Sequence, residues 1–477
     1  MEIKFFGTHN HTTYSNINGF NDSTVKVKDL LLTAHALGHQ GVAMTDHANI
    51  SAHIQAIQTT KALKKEGKLP EDFTLGLGVE AYVVDEEEMS VDVSNNERTN
   101  FYHLILIAKD EIGHHQIRQL TSLAYKRSFH YRGILRVPMF YTDFKEIIGD
   151  NKGHLIATSA CLGGYLGKLV LDMLRQPADA RSHHKDHIYN FMCWAMDTFG
   201  EDNFYLELQP SFNQDQIDYN EMLVKIAKAY QLPLTIATDV HYLRPENQRT
   251  HSIFLKSDEK NSGGRELGDF YNDTYLHSVE EMREKMGYME EADFIQAIQN
   301  TFNISQQIQN YDLAHDQIIP KIPLPEETSW EYYPEFYHQV PQYDYIKQMV
   351  ESPEIYDRYL INQIFHGIYD RQIDASRYTE VLERINLEMK ELIGISKAKQ
   401  QPISSYFITM QKAIQLMWEE AGCLLAPGRG SASGWMTNYL LRITMVDSLD
   451  QGIEMPIFRF ISAERPDYPD STLSPIY

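Results

Sequence analysis

The sequence lacks any apolar run approaching the roughly 18 residues that a bilayer-spanning helix needs. Its first residues, Met-Glu-Ile-Lys-Phe-Phe, carry none of the long apolar core of a signal peptide. Cysteine is scarce. The three residues, Cys161, Cys193 and Cys423, are far apart and odd in number, which argues against a disulfide framework and fits a reducing compartment. Positive charge is in the minority: 43 Lys and Arg against 66 Asp and Glu leave a net charge of −23. That balance argues against a surface that binds nucleic acid everywhere, but not against a local basic groove or metal ions that meet phosphate. There is no internal repeat and no low-complexity tract. These absences predict a cytoplasmic protein with no membrane role, and the length points to roughly two to four domains.

Histidine is plentiful, at 20 residues, and its placement matters more than its number. His9 and His11 end a short strand over 3–7 and, one residue apart, point to the same side of the pleat. The apolar spacing then predicts a helix over 24–37, stopped by Gly38, and a strand from Gly41 that ends in Asp46-His47. The next unit repeats the pattern, with a helix over 51–66 and a strand over 75–84 that carries Glu80. Residues 85–100 read as an exposed hairpin or loop, and 101–108 as a buried strand with His103 near its start. A helix over 112–127 leads to a loop with Arg132, Arg136 and Pro138. Further strands end in Cys161-Leu-Gly-Gly, run over 204–209, and end in Asp239-Val-His241, with helices over 178–198 and 214–230 between them. Such alternation over about 240 residues predicts a parallel α/β array closing into a barrel, whose active site forms at the C-terminal strand ends.

The candidate ligands are therefore His9, His11, His47, Glu80, His103, Cys161, Asp239 and His241, with Asp46 beside them. Imidazole, carboxylate and thiolate in one set suit Zn, Mn or Fe, with room for two or three ions. Such a cluster lowers the pKa of bound water and clamps a phosphate, which is what phosphoester hydrolysis needs. Any one of these residues alone reads as an ordinary buried polar group; three pairings at three strand ends do not. His35, His39, His114, His115, His183, His184 and His187 fall on predicted helices and read as surface.

With those residues in place, the set resembles the polymerase-and-histidinol-phosphatase (PHP) domain. The runs Thr45-Asp-His47, Gly78-Val-Glu80, Ser159-Ala-Cys161-Leu-Gly-Gly164 and Thr238-Asp-Val-His241-Tyr242 are similar to the long form found in bacterial replicative DNA polymerase alpha subunits of the C family. One departure stands out: Asn18 occupies a position where that family usually has Asp, so the resemblance implies one weaker metal.

A second site is expected near Gly428-Arg-Gly430-Ser431-Ala-Ser433-Gly434. Glycines there let backbone approach an anion, hydroxyls and amides donate to phosphate oxygens, and Arg429 adds charge. This loop, with Ser405-Tyr-Phe407, Leu441-Arg-Ile-Thr444-x-x-Asp447 and Phe458-Arg-Phe-Ile-x-x-Glu464-Arg465-Pro, resembles in order and spacing the first part of the C-family polymerase palm. The resemblance implies that Arg429, Gly430, Ser431, Ser433 and Arg465 bind the incoming nucleotide. The family's Pro-Asp-x-Asp motif, which binds the catalytic Mg²⁺ pair, has a match in Pro469-Asp470, but Thr472 stands at the second carboxylate. Asp470 is thus the expected catalytic residue. The change of character after it predicts a gene interrupted by an intron, intein or split junction, with 471–477 as read-through.

The expected architecture is α/β: a PHP-type distorted (β/α) barrel over 1–260 and a connector with the start of the palm over 261–345. A partial nucleotidyltransferase-like α+β palm over 346–470 and a non-family tail over 471–477 complete it. The implied function is that of a DNA-directed DNA polymerase alpha subunit from a bacterium or phage. The barrel would be a metal-dependent 3′-5′ exonuclease or a structural metal site, with Zn or Mn there and Mg for polymerisation. Implied partners are a DNA primer-template, dNTP, the remaining polymerase domains or fragment, the sliding clamp and other replisome proteins. Two alternatives remain: a stand-alone PHP phosphoesterase, and a non-catalytic half of a split polymerase.

Overall fold

The computed structural model describes residues 4–16, 21–131, 134–257, 269–313, 318–326, 333–428, 430–450, 455–464 and 475–476. Two compact units divide the chain at Met1–His315 and Asp316–Tyr477.

The first unit is built on a curled sheet. Its strands are β1 (Phe6–Gly7), β2 (Gly41–Met44), β3 (Thr74–Val84), β4 (Tyr102–Ala108), β8 (Leu155–Thr158), β9 (Phe204–Leu208) and β10 (Leu234–Ile236), side by side in that order. Three short strands lie between β4 and β8 in the chain: β5 (Phe129–Tyr131) and β6 (Ile134–Arg136) form a hairpin, and β7 (Met139–Phe140) pairs with β3. A parallel bridge between Asn10 and Val240 joins the two ends of the sheet order, so the sheet closes on itself. Phe6, Ala43, Ile105, Ile107, Ile156 and Tyr205 form one apolar cluster, while Val79, Leu104, Leu106, Ala157 and Leu206 pack in another with helix residues such as Ile117, Leu120 and Leu223. Alternating strand residues enter different clusters, as the period-2 geometry requires.

The expectation of an all-parallel array fails at one strand. β4 pairs antiparallel with both β3 and β8, while the remaining long strands pair in parallel. The cause lies in the connection. Helix α3 (Glu86–Asn95; α1 is Val27–Ala36 and α2 His53–Lys65) opens on three glutamates and has no buried residue. It therefore cannot pack back on the sheet as a crossover helix does. Asp85 caps it by accepting from the Glu88 N–H at 3.0 Å, and Asn96 ends it in the left-handed region. The chain then returns along the edge it has just left. This reversal matters for the site, because the start of an antiparallel strand lies at the same end of the sheet as the C-terminal ends of the parallel ones.

Helix Glu291–Gln307, expected within a connector, packs in this unit: the Phe6 N–H donates to Thr301 Oγ1 at 3.1 Å, and Asn300 Nδ2 donates to Leu234 O at 2.8 Å. No helix among the described residues is long and apolar enough to cross a membrane.

The second unit packs helices Ile355–Asp370, Tyr378–Lys399, Ser404–Glu419 and Met436–Leu440 around Phe336, Phe365, Ile385, Met389, Phe407 and Trp435. Inside it lies an ion pair. Arg384, 3% exposed, donates from Nε to Glu388 Oε1 at 2.9 Å and from Nη2 to the carbonyls of Gly434 and Met455 at 2.6 and 2.7 Å. Glu388 in turn accepts from the N–H groups of Met436 and Thr437 and from the Thr437 hydroxyl. Removing one partner of a buried pair leaves an uncompensated charge, at a cost of about 3–5 kcal/mol. Arg384→Met is therefore expected to lower the unfolding free energy of the second unit by that amount, read as a lower urea midpoint, while the metal content of the first is unchanged. An unchanged midpoint would count against this account of the pair.

Candidate functional site

Each strand end delivers its ligand for a local reason. His9 and His11 follow β1, His47 follows β2, Glu80 lies within the long β3, and Cys161 follows β8. His103 reaches the same rim because β4 runs the other way and begins there. Its N–H donates to Gly163 O at 3.1 Å, and a Cβ on Gly163 would stand 3.0 Å from His103 Nδ1, close enough to press on the ring. Asp239 and His241 follow β10.

Among the described residues, three groups bring donor atoms within 4.8 Å of one another: His11, Asp22, His47 and His241; His9, His11 and Glu80; and Glu80, His103 and Cys161. His11 and Glu80 each belong to two groups, so the groups share walls. Asp239 Oδ1 lies 3.2 Å from both His9 Nε2 and His11 Nε2. All eight sequence-predicted metal ligands thus stand in one cluster. All are buried apart from His103, whose side chain is 25% exposed.

The imidazoles are set in ligating tautomers by what their other nitrogens touch. Ser15 Oγ gives its single proton to Asp46 Oδ1 at 2.7 Å, so at 3.0 Å from His11 Nδ1 it must accept. That leaves the His11 Nε2 lone pair facing Glu80 and Asp239. His9 Nδ1 donates to Glu207 Oε1 at 2.8 Å, and His241 Nδ1 donates to the Asp239 carbonyl at 2.7 Å, which frees both Nε2 atoms in the same way. Asp46 is not in the ligand groups. It accepts from the Thr12 N–H and hydroxyl and from Ser15, and so fixes the turn that carries His11.

Glu80 Oε1, Glu80 Oε2, Asp239 Oδ1 and His47 Nδ1 are buried yet make no hydrogen bond of usable geometry among the described residues, although imidazole nitrogens approach both carboxylates. Close approach without an aligned N–H is the arrangement of atoms that share a cation. The donor set therefore fits divalent metal ions. The electrostatics agree. Burial alone would lower the pKa of His9 and His47, but Asp239 and Glu207 around the first, and Glu80 and Asp22 around the second, raise both well above the imidazole range. Burial, with His47 and His241, drives His11 down to about 3. Burial pushes Asp22, Glu80 and Asp239 upward and is overcome by adjacent imidazoles, which hold all three below the carboxylate range. Burial, with Asp239 and Glu80, lifts the Cys161 thiol well above its usual value. Without metal, second protons on His9 and His47 would balance the carboxylates, and metal binding at the Nε2 atoms would release them.

Backbone strain collects at the same place. Ala48, Ala160 and Asp239 take φ values of 51°, 57° and 46°, and each is a ligand or adjoins one. Left-handed backbone costs a non-glycine residue about 1–2 kcal/mol, and it persists where the surroundings over-determine it.

Two carboxylates escaped the sequence reading. Asp22 Oδ2 stands 2.8 Å from His47 Nε2 and 2.9 Å from His241 Nε2, and so supplies a carboxylate in the region where only Asn18 drew notice. Asn18 lies outside the described residues. Glu207, fully buried, orients His9 and also accepts from the Thr158 hydroxyl and from Gln209. A carboxylate inside the apolar strand Phe204–Leu208 was a legible signal; Asp22 sits in a polar loop with no periodicity to mark it. Two of the histidines read as surface are buried. His39 Nε2 lies 2.9 Å from the His277 carbonyl, and His114 Nε2 lies 3.0 Å from His53 Nδ1.

In the second unit, Gly430–Gly434 forms a tight helical turn directly before Met436–Leu440, with Ser431 exposed and Ser433 half-buried. Gly428 and Gly430 have φ of 144° and 76°, conformations that side chains resist. Arg429, Arg465 and Asp470 lie outside the described residues.

Asp22→Asn is expected to lose about one equivalent of bound metal by elemental analysis, because an amide brings no charge to the Asp22 group. Glu207→Gln is expected to keep the full number of metals at saturation but bind them about 10- to 100-fold more weakly. Wild-type stoichiometry in the first variant, or wild-type affinity in the second, would remove that residue from the site.

Comparison with known proteins agrees with this division of the chain. Residues 7–211 match the PHP domain, and residues 358–473 match the bacterial DNA polymerase III alpha NTPase domain. Over 475 residues the chain is 38% identical to "Probable DNA polymerase YorL" of Bacillus subtilis and, equally, to a "DNA-directed DNA polymerase" of Bacillus phage SPbeta, covering 97% of this chain and 36% of each relative. It is 28% identical over 469 residues to a "DNA polymerase III subunit alpha" of Borreliella burgdorferi, covering 98% of this chain and 35% of that one. The chain spans about a third of the length of these curated relatives. In sequence and in the order of its two matches, a PHP domain followed by a polymerase III alpha NTPase-domain segment, the chain is similar over nearly its whole length to about a third of these DNA polymerases.

Proposed function

We propose that this chain provides the N-terminal part of a replicative DNA polymerase, and that its first unit is a metal-dependent phosphodiesterase that removes nucleotides from DNA 3′ ends. The observation that carries the second reading is the sharing of His11 and Glu80 between neighbouring ligand groups. Ions held side by side in this way would polarise one phosphate and lower the pKa of a bound water. The chain's own residues hold the rest in register: Glu207, Ser15 and the Asp239 carbonyl fix three imidazoles, and the buried carboxylates keep the pocket attractive to cations. Hydrolysis would consume one water and yield a nucleoside 5′-monophosphate and a strand shortened by one residue, with a free 3′ hydroxyl. Zn or Mn suits the His, Cys and carboxylate donors.

For the second unit the reading is a nucleotide-binding part of the polymerase, with Gly430, Ser431 and Ser433, joined by Arg429 and Arg465, at the triphosphate and Asp470 at Mg²⁺. The NTPase-domain match and the turn at Gly430–Gly434 support it. The same match disfavours a stand-alone phosphoesterase, which has no use for such a segment. DNA, dNTP and the remainder of the polymerase are the partners this reading requires.

Purified protein loaded with Mn²⁺ is expected to shorten a 3′-labelled single-stranded oligonucleotide, and His9→Ala combined with Asp239→Ala is expected to reduce the rate by at least about 100-fold, the scale on which loss of an electrostatic catalyst is felt. Bound metal with no degradation would leave the first unit a structural metal site. Residues 1–477 alone are expected not to extend a primer, because Thr472 offers no second carboxylate; extension would refute that.

A further inference from the structure

The cavity over the metal ligands is larger than one phosphate requires, and its wall carries cations that the metal ligands do not include. It encloses about 520 Å³ and is floored by Asp22, His47, Glu80, Asp239 and His241. That volume lies within the range of about 300–1,000 Å³ that holds ligands of nucleotide size. Its walls carry Arg98, Arg136 and Lys168 as cations, and Tyr82, Phe101 and Tyr102 as rings. In a chain of net charge −23, three cations gather at this one opening, beside a floor that carries three carboxylates. None of them belongs to the metal-ligand groups.

Their arrangement is specific. The Arg136 guanidinium lies 5.0 Å from the centre of the Phe101 ring, so a flat cation and a flat apolar face are presented together. Tyr82 lies 5.5 Å from the His47 ring and nearly parallel to it, and is partly exposed in the cavity, which puts an aromatic ledge beside the reacting centre. Arg98 is exposed. Lys168 is shared with Asp172 at 2.8 Å.

We propose that this rim is a subsite for the nucleotide next to the scissile bond, in which Arg98 and Arg136 hold its backbone phosphate and Phe101 and Tyr82 take a base by stacking. This rests on the phosphodiesterase reading above and goes further, because it names the residues that would hold the neighbouring nucleotide. The argument is one of charge and shape. A small phosphate ester has one phosphate, and the metal ligands already meet it; cations and rings placed outside that centre have work only if the substrate continues as a chain of phosphates and bases. Single strands are favoured because only unpaired bases present both faces for stacking.

The test uses the full chain loaded with Mn²⁺ and three variants: Arg98→Ala, Arg136→Ala and Arg136→Lys. Hydrolysis of a 3′-labelled oligo-dT is compared with that of bis-p-nitrophenyl phosphate, a diester with no neighbouring phosphate or base. Metal content and thermal melting confirm that each variant is folded. For each alanine variant the ratio of oligonucleotide to diester kcat/KM is expected to fall at least tenfold, and the slope of log Kd against log salt by about 0.7, the share of one phosphate contact on a single strand. Arg136→Lys is expected to recover the salt slope. Equal losses on both substrates, or no loss on the oligonucleotide, would overturn the proposal. If the wild type hydrolyses neither, the phosphodiesterase reading fails, and fluorescence anisotropy of labelled oligo-dT still decides the rim. Affinity and salt slope that do not change between wild type and the alanine variants would overturn it there too.

Discussion

The first unit depends on the burial of several carboxylates in one place. Asp22, Glu80, Glu207 and Asp239 are all at most 2% exposed and surround the same few imidazoles. Taking a charge out of water costs several kcal/mol per ion, and nothing apolar offsets that here. The cluster persists because each carboxylate meets cationic or potentially cationic partners, and because the sheet that carries it is held from outside by a large apolar layer. The left-handed backbone at Ala48, Ala160 and Asp239 is a further cost drawn from the same source. A fold that only needed stability would not concentrate charge and strain together; a fold that holds divalent cations has to.

Much of this was legible because the chemistry sits on regular elements. His-x-His, Asp-His and Asp-x-His at strand ends announce themselves, since a polar group that interrupts an apolar run is conspicuous and the alternation of strand and helix says which end of the sheet it reaches. Glu80 and His103 were visible for the same reason. What the residues do not display is the direction of β4, because strand propensity is blind to orientation. Only the lack of an apolar face on α3 hints that no crossover occurs there. Asp22 was hidden more completely. It lies in a polar loop, where one carboxylate looks like any other, and its position between His47 and His241 is a tertiary contact that no local pattern marks.

His39 and His114 show the opposite error. Both lie on or next to helices, and a polar residue there is normally assigned to solvent. Each is instead buried with a single well-placed partner, a carbonyl for one and a second imidazole for the other. Burial then lowers the His39 pKa to about 4 and that of His114 to about 3, so both rings are neutral and the interior pays little for them. A neutral imidazole with a satisfied nitrogen is nearly an aromatic core residue, which is why these two take no part in the metal chemistry.

The two candidate phosphate sites use different physics, and the difference decides what each needs from its surroundings. In the barrel the attraction would come from ions, so the protein supplies negative charge and makes the pocket anionic. At Gly430–Gly434 the attraction would come from backbone N–H groups and hydroxyls, which carry no net charge and work only if the loop is already in shape. Arg384 and Glu388 act at the C-terminal end of that turn. The carboxylate caps the first N–H groups of the helix after the loop, and the guanidinium ties down the Gly434 carbonyl. A buried ion pair is a poor way to gain stability but an effective way to impose one geometry, since each partner is costly in any arrangement that separates them. If the turn binds phosphate, an end held in this way lowers the share of a ligand's binding energy spent on ordering it.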